Sequence, residues 1–238
     1  MPTNNTTPPT TFFSKGFNRQ ALFDLLLVMI VLVVVKQLVL PFSFLLAGPA
    51  STLTAMIVST WLLWRRGLSW GDLGLRRPKK LLKTLGLSVV SFLTIAVVAN
   101  LMGWFTGLFF ESVGDSNRFS HVEGSLSAFL LMIVLVWTHG SFFEELLFRA
   151  FVINRASAFL GGGLKADIAA ALFSSVFFGY RHYYYQGIKG AIVTGAIGFG
   201  LSLLYLWFGR KNILPLIIGH GLVNTISQTQ RFLGDAGD

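Results

Sequence analysis

Long uncharged apolar runs alternate with short polar segments along the chain. Several of these runs reach or approach the roughly 20 residues that a helix needs to cross a bilayer. The pattern therefore predicts an all-α, polytopic integral membrane bundle of about six to eight membrane helices. The runs occupy residues 21–47, 51–64, 84–110, 124–143, 166–182, 190–208 and 212–230.

The composition excludes an ordinary soluble domain. Of the 238 residues, 53% are hydrophobic and only 12% are charged, whereas a soluble globular chain carries about a quarter charged residues. The net charge of +9 would suggest nucleic acid in a soluble protein. Here the positive residues lie mostly beside the apolar runs, so we expect the lipid bilayer as a partner and no nucleic acid. Without cysteine, the chain has no disulfide, thiolate metal ligand or Cys nucleophile.

The loop of residues 65–83 carries the strongest signal of orientation. It holds seven positive residues against one negative residue, Asp72. Loops rich in Lys and Arg stay in the cytoplasm, so we expect an integral protein of a bacterial plasma membrane with this loop inside the cell. Residues 111–123 have an acidic excess and fit the opposite face. The positive residues of the loop are Arg65, Arg66, Arg76, Arg77, Lys79, Lys80 and Lys83.

The same patterns divide the chain into five segments. Met1–Phe13 lacks the basic segment and short apolar run of a signal peptide. We expect a disordered N-terminal tail at 1–18, a transmembrane hairpin at 19–64, the basic cytoplasmic loop at 65–83, a membrane core at 84–230 and a C-terminal tail at 231–238.

Two adjacent carboxylates, Glu144 and Glu145, interrupt an apolar helical stretch. Ionisable groups inside the membrane are costly and are functional by default. Glu145 and Arg149 are four residues apart, so they share a helix face and can form an ion pair. Glu144 then points about 100° away and is free to face a cavity. The alternative is that the whole cluster only locks helices together.

Two further polar motifs follow in later apolar runs. Phe178 precedes His182 by four residues, and His220 precedes Asn224 by four, which stacks imidazole and carboxamide on one helix face. Gly219 and Gly221 flank His220, and we interpret them as room for a substrate backbone or a metal. The alternatives are that His182 belongs to an interfacial aromatic belt and that His220 and Asn224 hold helices together.

These residues can hydrolyse an amide in two ways. Glu144 and His182 can activate a water while His220 and Asn224 stabilise the oxyanion. Alternatively, His182 and His220, with Glu144 or Asn224, can hold a divalent metal, most reasonably Zn²⁺, whose bound water is acidified. The sequence leaves both open.

Together the three motifs resemble the CPBP family, the CAAX-processing and bacteriocin-processing intramembrane proteases also called Abi proteins. The family pattern is Glu-Glu-x-x-x-Arg, then Phe-x-x-x-His, then His-x-x-x-Asn. It stands here as Glu144-Glu145…Arg149, Phe178…His182 and His220…Asn224. The resemblance implies a multi-helix fold with a polar intramembrane cavity reached from the cytosolic side. It implies an intramembrane endopeptidase, of the glutamate type or a metalloprotease, acting on a membrane-associated protein or peptide, with Glu144, His182, His220 and Asn224 as catalytic residues and Glu145, Arg149 and Phe178 supporting them.

The predicted membrane crossings conflict with this site, because a single crossing by residues 124–160 would put Glu144 and His182 at opposite ends of the bundle. Residues 124–160 continue the helical pattern for about 55 Å, too long for one crossing. Because Gly is a poor helix former and Ser a good N-cap, we expect a break at His139–Gly140–Ser141, with His139 structural. A break brings Glu144 and His182 to the same end of the bundle, but it puts Arg210–Lys211 on the non-basic side, against the charge rule.

Two other functions remain open. The chain could be a catalytically silent immunity or scaffold protein that binds a partner in the bilayer. It could also be a small transporter whose buried Glu and His residues carry protons.

Overall fold

The computed structural model describes residues 18–111 and 116–234, the side chains of residues 116–118 excepted. The described chain is helical and contains no β-strand, as the apolar pattern predicts. Of the expected tails at 1–18 and 231–238, residues 1–17 and 235–238 lie outside the described residues, whereas residues 231–233 form the end of the last helix. The long helices are α1 (Arg19–Val39), α2 (Ala47–Arg65), α3 (Leu81–Gly107), α4 (Leu126–Phe159), α5 (Gly163–Trp207) and α6 (Leu214–Leu233). Two 3₁₀ helices, Trp70–Leu73 and Ser116–Val122, lie in the loops.

The helices are built to face lipid. By length and composition, α1, α3, α4 and α5 are able to cross a membrane. Large apolar side chains cover their outer faces, with Leu38, Leu101 and Val176 all at least 60% exposed. A soluble monomer rarely leaves so much contiguous apolar surface in water. The chain is therefore an integral membrane protein.

Helix α4 is continuous, so the predicted break at His139–Gly140–Ser141 is wrong. Instead, the helix passes through π-helical turns at Thr138–Phe143 and Glu145–Val152. Ser141 does not cap a new helix, because its hydroxyl donates to the Val136 carbonyl oxygen at 2.7 Å, five residues back. Widening the helix here keeps the backbone paired inside the membrane, where a true break would expose it.

Helix α5 is a hairpin of two antiparallel arms, residues 163–186 and 188–207. The chain reverses at Gly187, whose φ of 62° and ψ of −167° are not helical and suit only glycine. The arms touch closely, since a Cβ built on Gly179 would lie 2.3 Å from the carbonyl oxygen of Ala191. The sequence-based separation at Gln186–Gly187 is confirmed.

The α2–α3, α4–α5 and α5–α6 connections meet at one end of the bundle, which we call the basic end. There the Tyr205 hydroxyl donates to the carbonyl oxygen of Leu73 at 2.9 Å. Arg210 donates to Asn154 Oδ1 at 2.7 Å and pairs with Asp167. Arg210 thus lies beside the basic loop, so the conflict with the charge rule disappears.

A buried carboxylate joins three helices near the basic end. Asp24 of α1 is 1% exposed. Its two oxygens lie 2.8 Å from Arg66 Nη2 and 3.2 Å from Arg155 Nη1. This charge cluster stabilises the packing of α1 against the end of α2 and against α4.

The opposite end, which we call the far end, holds the α1–α2 and α3–α4 connections, the reversal at Gly187 and the end of α6. A hydrogen bond from the Gly124 amide to the Phe232 carbonyl oxygen, at 3.0 Å, closes it. From α1 to α6 the chain therefore alternates between the two ends, with both arms of α5 included in the alternation.

Candidate active site

A cavity of about 260 Å³ collects the residues that the motifs single out. Glu144 from α4, His182 from α5, and His220 and Asn224 from α6 all line it. The structure therefore brings all four predicted catalytic residues to one place, and His182 faces this cavity rather than only the lipid interface. Their roles stay predictions.

The two adjacent glutamates diverge as their spacing predicts. Glu144 lines the cavity and is 6% exposed, whereas Glu145 is fully buried. Arg149 Nε lies 3.2 Å from one oxygen of Glu145, which confirms the predicted ion pair. The other oxygen of Glu145 lies 2.8 Å from His220 Nδ1. Glu145 is thus occupied on both sides, and Glu144 remains for the cavity.

Glu145 fixes the orientation of His220. A carboxylate accepts the hydrogen bond, so Nδ1 carries the proton and Nε2 is the nitrogen available to the cavity. Paired carboxylate and imidazole groups of this kind recur behind functional histidines in proteins. One helical turn later, Asn224 Nδ2 donates to the Gly140 carbonyl oxygen at 3.1 Å and joins α6 to the π-helical part of α4.

The glycines beside His220 do not leave room for a substrate, so that interpretation is wrong. A Cβ on Gly219 would lie 2.7 Å from Ser91 Cβ, and a Cβ on Gly221 would lie 2.7 Å from the Trp137 ring. Neighbouring helices already fill both spaces. The glycines instead let α6 approach α3 and α4 closely, which carries His220 to Glu145.

His182 is oriented by the turn of helix that precedes it. Its Nδ1 lies 2.8 Å from the carbonyl oxygen of Phe178; a carbonyl only accepts, so Nδ1 is protonated and Nε2 carries the lone pair. The Phe178 ring packs 4.7 Å from the imidazole and 4.4 Å from the Arg149 guanidinium. Phe178 therefore connects the two motifs. The neighbouring Arg181 points away and donates to the hydroxyls of Ser51 and Thr52.

His139, interpreted as structural from the sequence, also lines the cavity. Its Nε2 lies 3.8 Å from Glu144 Oε1. In an α-helix, residues five apart lie about 140° apart around the axis, so the sequence gives no signal for this contact. The π-helical turn brings positions five apart together and places His139 beside the carboxylate.

The predicted metal ligands do not form a ligand set as they are placed. Within residues 18–111 and 116–234, no three His, Asp or Glu side chains are grouped closely enough to hold one ion. Zinc ligation by His182, His220 and Glu144 therefore stays an untested prediction, and the chemistry below is derived from side chains alone.

Comparison with known proteins identifies the core of the bundle. Residues 126–226 match the model of the family described as type II CAAX prenyl endopeptidase Rce1-like. No curated protein and no solved structure matches the chain. The matched segment begins with α4 and contains every motif residue from Glu144 to Asn224. The family match and the motif residues in a single cavity support the CAAX protease family for this part of the chain.

Proposed function

We propose that the chain is an intramembrane endopeptidase that hydrolyses a peptide bond of a membrane-associated protein or peptide with a water activated by Glu144. One observation carries this proposal. Glu144 lines a buried cavity together with three imidazoles, while its neighbour Glu145 is occupied by Arg149 and His220. A carboxylate without such a structural partner, next to histidines, is suited to proton transfer.

Hydrolysis begins when a water in the cavity attacks the carbonyl carbon of the scissile bond. Glu144 takes one proton of the water as the new C–O bond forms. His182 Nε2 accepts a hydrogen bond from the other proton, which orients the oxygen lone pair toward the substrate. When the C–N bond breaks, Glu144 passes its proton to the leaving amine and is again a carboxylate. The products are an amine and a carboxylic acid, whose remaining proton passes to solvent to leave the carboxylate. A positioned general base of this kind contributes about 10²–10⁴-fold in rate.

Asn224 and His220 stabilise the oxyanion of the tetrahedral intermediate in this scheme. Asn224 uses one N–H of its amide for the Gly140 carbonyl, and its second N–H is available to the developing negative charge. His220 can donate only as an imidazolium, because its neutral Nε2 carries a lone pair. Glu145, 2.8 Å from Nδ1, is the counter-charge for that form.

The test compares wild type with Glu144→Gln. Crosslinking in native membranes that contain this variant captures the substrate, which is then supplied to purified protein in proteoliposomes. We expect cleavage in water enriched in heavy oxygen to place the label in the new carboxyl group. Glu144→Gln should lower turnover by about 10²–10⁴-fold, whereas Glu111→Gln, an exposed carboxylate outside the cavity, should not.

Full turnover by Glu144→Gln contradicts the proposal. A full biological effect of that variant without detectable cleavage instead supports an immunity or scaffold protein. Proton-coupled uptake into proteoliposomes that is lost with the same variant supports a transporter.

A further inference from the structure

The cavity occupies only one half of the bundle. On α6, its lining begins at His220 and runs to Arg231, and no earlier residue of this helix takes part. On α4, which runs in the opposite direction, the lining runs from Met132 to Glu144 and no residue after it takes part. Both patterns place the cavity in the half nearer the far end.

Lining residues that belong to the helix connections mark the mouth of the cavity. Glu144, Phe178 and His220 at its inner end are at most 9% exposed, and Met132 and Gln228, nearer the far end, are buried as well. The partly exposed lining residues Phe119 and Gln186 belong to the α3–α4 connection and to the reversal in α5. Both connections lie at the far end, so the mouth is at the far end as well.

Charge decides which side of the membrane this mouth faces. The basic end carries the loop of residues 65–83, with seven positive residues against one negative, and also Lys165, Arg210 and Lys211. The far end carries the acidic residues Glu111 and Glu123 and, near the ends of its helices, the basic residues Lys36, Lys189 and Arg231, so its positive excess is much smaller. The positive-inside rule puts the basic end in the cytoplasm. The expectations of a cytoplasmic basic loop and of a cavity reached from the cytosol are therefore incompatible.

We propose that the cavity opens on the extracytoplasmic face and that its substrate class is a membrane-anchored polypeptide whose scissile segment is displayed on that face. The proposal rests on the proposed function. It excludes the cytosolic C-terminal tail of a prenylated protein as a substrate of this chain, because Glu144 cannot be reached from the basic end through the packed half of the bundle.

The absence of cysteine from the sequence allows a direct test by single-cysteine labelling in otherwise unaltered protein. Ser227→Cys and Gln186→Cys lie in the cavity lining. His121→Cys is an exposed reference at the far end, and Lys79→Cys is an exposed reference in the basic loop. Spheroplasts, which display only the outer face of the plasma membrane, are treated with a membrane-impermeant thiol reagent before or after permeabilisation.

We expect His121→Cys and at least one cavity variant to react fully in intact spheroplasts. Lys79→Cys should lose nearly all labelling there and regain it after permeabilisation. Labelling of Lys79→Cys in intact spheroplasts overturns the orientation. Protection of both cavity variants in intact spheroplasts overturns the extracytoplasmic mouth.

The outcome is independent of catalysis, because labelling requires no turnover. If the cavity variants are labelled from the outer face but Glu144→Gln cleaves as well as wild type, the extracytoplasmic mouth is supported and the proposed function is wrong. If Glu144→Gln loses cleavage but the cavity variants are labelled only after permeabilisation, the protease function is supported and the extracytoplasmic substrate is wrong.

Discussion

Replacing Glu145 with Gln separates its structural role from its role at the site. The substitution keeps the shape of the side chain and removes its charge. Glu145 contacts Arg149 on one side and His220 on the other, at 3.2 and 2.8 Å. Glu145→Gln therefore disturbs two buried partners at once.

The energetic cost follows from the burial of Arg149, which is 1% exposed. Among the described residues, its guanidinium nitrogens form no hydrogen bond, so Glu145 at 3.2 Å holds it by charge, and the Phe178 ring at 4.4 Å is its other close partner. Breaking a buried ion pair by removing one partner costs about 3–5 kcal/mol. Since Gln still fills the space and can bond to His220, we expect a loss near 3 kcal/mol.

The catalytic effect is expected to exceed what destabilisation explains. An amide offers His220 either a donor or an acceptor, so Nδ1 is no longer held in one protonation state. Loss of the carboxylate behind a metal-ligating histidine costs about 10–100-fold in metal affinity or activity, and we expect a loss of the same order at His220. Unfolding in mixed detergent micelles measures the first effect, and cleavage per folded molecule measures the second.

Asp24→Asn is the matched control for Glu145→Gln. Asp24 is also a buried carboxylate with two basic partners, Arg66 and Arg155, but it is not part of the cavity lining. We expect a similar loss of stability with turnover per folded molecule unchanged. If both variants lose activity equally, or if Glu145→Gln loses none, the proposed role of Glu145 is wrong.

Three further predictions concern other parts of the site. His139→Gln should lower turnover less than Glu144→Gln does, with little change in the midpoint of thermal unfolding, because His139 contacts the carboxylate from the cavity side. Gly221→Ala should destabilise the protein by about 1–3 kcal/mol, since its Cβ would meet the Trp137 ring; Gly86→Ala, which meets nothing within 4 Å, should not. Dialysis against a chelator tests the predicted zinc site: loss of turnover that zinc restores supports ligation by His182, His220 and Glu144, and unchanged turnover supports the scheme without metal.

Patterns with local causes could be predicted from the sequence. Apolar runs determine which segments enter the bilayer, so the helical bundle follows from them. The Glu145–Arg149 pair depends only on four-residue spacing, whereas the shared cavity was expected from the resemblance to the CPBP family. The separation at Gln186–Gly187 relied on the conformational freedom of glycine, and the structure places a reversal there.

Features that depend on neighbouring helices could not be predicted. Gly140 and Ser141 favour a break by local propensity, but the membrane penalises unpaired backbone and a π-helical passage forms instead. The π-helical turns place His139 beside Glu144, whereas an α-helix would hold residues five apart about 140° from each other around its axis. Likewise, the sequence suggests open space at Gly219 and Gly221, but in the structure neighbouring helices pack against both glycines.

The burial of Glu144 limits the shape in which a polypeptide can reach it. The carboxylate is 6% exposed at the inner end of the cavity, whereas a helix with its side chains is about 10 Å across and holds each peptide group near its axis. A scissile bond therefore has to lie in an unwound stretch to meet the carboxylate. Stretches with weak helical propensity near the membrane surface, such as those with glycine or β-branched residues, would be cut in preference to stable transmembrane helices.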